Sequence, residues 1–113
     1  MKATDLMIRD KVMVKVLSQI PNTYVLHTWT ANDYSRDIQV KPIPLTPEIL
    51  EKNGWWYNVE DMWLHEEVGF FIEKFKGRFQ CYDINQIKLD SVHELQQTLR
   101  LCGLNELADN FKI

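Results

Sequence analysis

The sequence predicts an α+β fold: a small SH3-like, β-rich N-terminal part over residues 1–41, then a short linking helix, an antiparallel β-meander and one packing C-terminal helix over 42–113. Three observations predict it. Short alternating runs broken by turn residues fill 5–40. A stretch over 42–54 marks both ends of a short helix, and a second marked helix over 91–102 follows a long strand-like region.

At 113 residues the chain is one domain, or one domain with a small subdomain, and its 45% apolar share can build a core. It has no run of about 18 apolar residues, so no membrane span is expected. Its start, Met1-Lys2-Ala3-Thr4-Asp5, lacks the apolar stretch of a signal peptide, and a cytoplasmic location is the expectation. The net charge is −3. The first 41 residues carry 6 basic and 4 acidic side chains, and the rest carry 7 and 12, giving +2 and −5. A +2 segment on an acidic body is a weak footprint for phosphate contacts, so nucleic-acid binding is disfavoured.

Taken in order, 5–17 reads as one strand, with Val12, Val14 and Val16 on its dry side. Pro21-Asn22 signals a turn, 23–30 a second strand, Ala31-Asn32-Asp33 another turn, and 36–40 a third strand. In 42–54, prolines hold the entry extended. Thr46 caps a helix whose first position is Pro47, and Asn53-Gly54 stops it. About two turns are too few to stand alone, so Ile49 and Leu50 must be packed down. Strands follow at 55–59, 62–66, 68–75, 78–82 and 84–88, with Lys76-Gly77 as the clearest hairpin turn and less marked ones near 58–61 and 67–69. Ser91 and Glu94 form a capping-box pattern. Val92, Leu95, Leu99 and Cys102 fall on one helix face, and Gly103 ends the helix with Leu104 folding over Leu99. The tail is one short turn and then extended chain.

No catalytic, cofactor-binding or metal-ligating residue is assigned, and the chain is read as non-enzymatic. His27, His65 and His93 are scattered, and His65-Glu66 lacks the second histidine of a zinc-binding helix. A charged His93 would be disfavoured near a helix N-terminus. Cys81 and Cys102 read as small buried apolar residues of a reducing compartment. Ser91 is explained by capping, and four glycines leave no phosphate loop. Glu60, Asp61, Glu66 and Glu67 read as a solvated acidic turn. The alternative is a small enzyme using that cluster, which a deep pocket holding two of the carboxylates would favour and a flat surface would end.

The Pro-Ile-Pro-Leu-Thr-Pro-Glu-Ile-Leu block from Pro42 to Leu50 and the Leu-Arg-Leu-Cys-Gly block from Leu99 to Gly103, with Asp5-Leu6-Met7-Ile8 and Val92 to Gln96, resemble a family of short uncharacterised proteins of gut bacteria and their mobile elements. Residues 18–41 and 56–88 match it poorly. The family has no established activity, so the resemblance implies no site residues. It implies that the two helical blocks accompany a β-rich N-terminal part and a meander. Arg9-Asp10 departs from the family's Gly-Asp, so a positive φ there would strain Arg9.

Alternation places Trp55, Tyr57 and Val59 on one side of the meander and Trp56 and Asn58 on the other, with Phe70 and Ile72 opposite Phe71 and Phe75. Phe79 and Cys81 likewise lie opposite Tyr82. Both faces therefore carry aromatic side chains, and one helix covers only one of them. The other face is expected to rest on the N-terminal part, on a second copy or on a partner. Trp56, Trp63 and Phe71 are the residues expected nearest such an interaction surface. The functional expectation is a binding or regulatory module that contacts another protein in a bacterial or phage setting. A nucleic-acid-associated accessory protein is the alternative.

Overall fold

Val12 and Val14 face inward from a six-residue strand, β1 (Lys11–Val16), which forms the middle of a three-stranded antiparallel sheet. Its neighbours are β2 (Val25–Thr28) and β3 (Ile38–Lys41), in the order β2-β1-β3. The computed structural model describes residues 1–2, 5–16, 23–36, 38–82 and 87–113. The turn expected at Pro21-Asn22 lies outside them.

The first strand does not begin at residue 5. Arg9 adopts φ 74°, and the backbone N–H groups of Met7 and Asp10 bond to the Asp10 carboxylate and the Met7 carbonyl. That turn ends the extended run, so Met7 and Ile8 are exposed while Leu6 is buried with Val12, Val14 and Trp29. The next turn is a 3-10 helix (Ala31–Ser35). Burial alone would raise the pKa of Asp33, but His27, the Thr30 N–H, Arg36 and the Thr30 hydroxyl all bond to its carboxylate. Together they hold it well below the usual carboxylate range.

Helix α1 (Pro47–Lys52) forms as its sequence signals require: Thr46 Oγ1 accepts from Ile49 N at 3.2 Å, and Leu50 is fully buried. The meander is a four-stranded antiparallel sheet in chain order: β4 (Trp56–Tyr57), β5 (Met62–His65), β6 (Phe70–Phe75) and β7 (Arg78–Cys81). Lys76-Gly77 makes its hairpin turn with φ 52° and 77°. Most of the strand expected at 84–88 lies outside the described residues. Ile87 and Leu89 do bond to the β7 backbone, and Lys88 bridges Gln80.

Helix α2 (Val92–Leu101) buries Val92, Leu95 and Leu99 in one core with Leu50, Trp55, Ile72, Leu89 and Phe111. Its start differs from the capping box. The Ser91 hydroxyl bonds to Glu94 Oε1 at 2.7 Å and lies 3.0 Å from His93 Nδ1, and no cap bond forms from it to the backbone. The Glu94 carboxylate draws the hydroxyl away, and the first helical N–H, that of Val92, bonds to the Ile43 carbonyl at 2.8 Å. The proline segment thus lies antiparallel to the helix entry, with Pro44 bridging Ser91. At the other end Gly103 has φ 77°, and Leu104 N bonds to Leu99 O at 2.9 Å. Cys102 is the C-cap, past the last helical residue, and is exposed where burial was expected, while Leu104 packs against the core and Cys81 is buried as expected. A third helix, α3 (Asn105–Asp109), follows. The molecule is therefore α+β, and no helix among the described residues is long and apolar enough to cross a membrane.

The side of α2 next to this apolar stripe carries a polar seam. Gln96, fully buried, accepts the Lys11 N–H at 2.8 Å and donates to the carbonyls of Arg9 and Ala108. Gln97 donates to Asp10 at 2.7 Å, and Arg100 meets the same carboxylate at 2.6 Å. The N-terminal sheet is docked on the helix by these bonds. Burial pushes the His93 imidazole below its ordinary pKa, and the nearby Asp10, Glu94 and Asp5 carboxylates oppose that shift only in part. Burial rather than the helix terminus is the main cause.

Candidate functional site

Because the N-terminal sheet packs on α2, it does not cover the second face of the meander. Strand pairing sets Trp56 beside Leu64, Leu64 beside Phe71, and the Phe71 carbonyl on the Tyr82 N–H. Directly paired residues share a face, so Trp56, Leu64, Phe71 and Tyr82 form one apolar row across four neighbouring segments. Trp56 is 41% exposed and Tyr82 58%, Leu64 and Phe71 are half-buried, and the Phe71 and Tyr82 rings lie 6.3 Å apart. The adjacent row begins with Met62 and is polar at Glu73 and Gln80, with Gln80 donating to Glu73 at 3.3 Å.

Of the three expected interaction residues, Trp56 and Phe71 lie on this face and Trp63 does not. Trp63 pairs with Ile72 on the inner side and is 6% exposed, part of the core. Adjacent strand positions point to opposite sides, so Trp63 cannot share a face with Leu64. Tyr57 and Val59 were expected beside Trp55, but β4 is only two residues long and both are exposed. Tyr57 still packs edge-on against Trp63 at 5.5 Å.

The four expected acidic residues separate into two turns. Glu60 and Asp61, at φ 55° and 61°, join β4 to β5, whereas Glu66 and Glu67 join β5 to β6. Four residues of strand stand between the pairs, about 13 Å of chain. Glu66 and Glu67 line an open cleft of about 1140 Å³. Its other walls are Lys52 to Gly54 at the end of α1, Trp56, the start of α3, and Lys112 in the tail. Asn53 ties two of these walls together, bonding the Lys112 N–H at 2.7 Å and its carbonyl at 2.8 Å.

His65 also lines this cleft, 6% exposed, its ring edge-on to Trp55 at 4.8 Å. Its Nδ1 is buried and has no hydrogen-bond partner among the described residues. Gly54 makes room for it: at φ 93°, a Cβ there would lie 2.6 Å from His65 Nε2. The sequence marked Gly54 only as a helix stop, and the contact with His65 has no local signal.

Gly69 has a similar positive φ, 67°, with open space around it. Gly69→Ala is therefore expected to cost about 1 kcal/mol, from backbone strain alone. Gly54→Ala is expected to cost distinctly more, because the ring must also move. Urea titration of both variants checks this, and equal losses would show that the His65 contact is unimportant.

No protein-family model matches the chain, and no match was found among curated proteins or solved structures.

Proposed function

We propose that this protein is a non-enzymatic binding module that grips a basic, apolar segment of another protein on the outer face of its meander. The observation that carries the reading is the row Trp56, Leu64, Phe71 and Tyr82, apolar and without a cover among the described residues. Contiguous exposed apolar surface favours an interaction site. Carboxylates flank the row on both sides, Glu66 and Glu67 in one turn and Glu73 in the neighbouring row. A basic segment complements that charge. A second copy meeting the face on a two-fold axis would set like charges against each other. The N-terminal part, read from the sequence as SH3-like, serves on this reading as a buttress behind α2. The setting is bacterial or phage, and the location cytoplasmic.

The test uses two labelled twelve-residue peptides, one alternating lysine with leucine and tryptophan, the other with glutamate in place of lysine. The basic peptide is expected to bind, to weaken as salt rises, and to shift amide signals along the four-residue row. Phe71→Ala, at a half-buried position outside the core, is expected to weaken it about tenfold or more. Equal binding of the acidic peptide, or signals shifted only elsewhere, would refute the proposal.

A further inference from the structure

We infer that the cleft beside His65 is a second binding site, for a zwitterionic ligand of short-peptide character, bordering the outer face and sharing Trp56, Glu66 and Glu67 with it. The inference starts from the histidine. A neutral imidazole has one N–H and one bare nitrogen. An orphaned buried N–H is rarer than an under-used acceptor, so the bare nitrogen belongs at the unpartnered Nδ1. The proton then sits on Nε2, which lies over the missing side chain of Gly54, a residue that also lines the cleft. His65 thus offers an N–H to an acceptor on that side.

Charge points the same way. Lys52 and Lys112 border the cleft at the end of α1 and in the tail, and the Asn53 clamp keeps those segments together. Glu66 and Glu67 line it from the β5–β6 turn and Glu106 from the first turn of α3. No ion pair joins these five groups among the described residues. A carboxylate is received by the His65 N–H and the lysines, and an ammonium by the glutamates. The Trp56 indole, at the same cleft, adds an apolar wall and a ring face for the cation. Leu104, Leu107 and Val68 accept an apolar side chain between the charged ends. At about 1140 Å³ the cleft slightly exceeds the range of about 300–1,000 Å³ typical of small-molecule pockets, which suits a short peptide.

The probe is the tripeptide Ala-Leu-Ala with free ends, compared with its N-acetylated and its C-amidated forms. Added to the ¹⁵N-labelled protein, the free-ended peptide is expected to give saturable shifts in Gly54, Glu66, Glu67 and Asn105 amides and in the His65 ring signals. Each blocked form is expected to bind about tenfold more weakly, having lost one charge-assisted set of bonds. His65→Phe keeps a ring against Trp55 and removes both nitrogens, and it is expected to weaken the free-ended and amine-acetylated peptides while leaving the C-amidated one unchanged. Lys112→Gln, at an exposed position, carries the same expectation without touching the core. Equal binding of all three peptides, no saturation by about 10 mM, or shifts confined to the outer face would overturn the inference.

Discussion

Replacing Arg100 by methionine is expected to destabilise the fold by about 3–5 kcal/mol. Asp10 is fully buried, and its carboxylate meets Arg100 at 2.6 Å, Gln97 at 2.7 Å and the Met7 N–H at 2.8 Å. Arg100 supplies the only full positive charge in that set. Without it, a charge enclosed between α2 and the turn at Arg9 has only neutral donors. Its desolvation cost then stays uncompensated, which is why removing one partner of a buried pair costs more than the pair contributes. Arg100 also reaches Asp109 at 3.2 Å, so the variant releases α3 as well. Urea unfolding gives the size of the loss. A double-mutant cycle with Asp10→Asn isolates the pair, and the double variant is expected to lose much less than the sum of the two singles. A loss under about 1 kcal/mol would mean that water reaches Asp10 and that the seam is a surface contact.

Leu99→Ala is expected to cost about 2–5 kcal/mol. Leu99 is fully buried in the core shared by α1, the meander and the tail. Its carbonyl also accepts the Leu104 N–H that closes the helix. Two large members of the same core are held in place by their own bonds. Trp55 bonds the Phe70 carbonyl through its indole, and Phe111 is fixed by the Asn53 clamp on the next residue. Poor relaxation leaves a cavity, which places the cost in the upper part of the range. Calorimetry is the direct check. A change below about 1 kcal/mol would show that the α2 stripe is not the centre of this core.

The elements that were legible in the sequence are those whose signals are local. Thr46, Pro47 and Gly54 mark α1, Lys76-Gly77 marks a hairpin, and Gly103 with Leu104 marks the end of α2; each carries its conformation in its own residue type. The period-two rule also placed Trp56 and Phe71 on one face. Its misplacement of Trp63 came from choosing by aromatic character rather than by register. The polar seam was not legible. Gln96, Gln97 and Arg100 repeat at helical spacing, but polarity reads as solvent exposure when the groups they bond to, at Arg9, Asp10 and Lys11, lie some 85 residues or more away. The cleft was hidden for a similar reason, since it gathers residues from 52 to 112. Glu66 and Glu67 had been singled out on the wrong grounds of clustering with Glu60 and Asp61, Trp56 as part of an interaction surface, Asn53-Gly54 as a helix stop, and His65 only to exclude a zinc-binding helix.

The central claim is that the outer aromatic row stands open in the isolated protein. Acrylamide quenching of tryptophan fluorescence tests it most directly. Of the four tryptophans, Trp29, Trp55 and Trp63 are buried and Trp56 is exposed. The wild type is expected to show one readily quenched fraction that does not change with protein concentration and vanishes in Trp56→Phe. If no quenchable fraction appears at any concentration, or it disappears as concentration rises, the face is closed within the chain or by a second copy, and the open-face account is wrong.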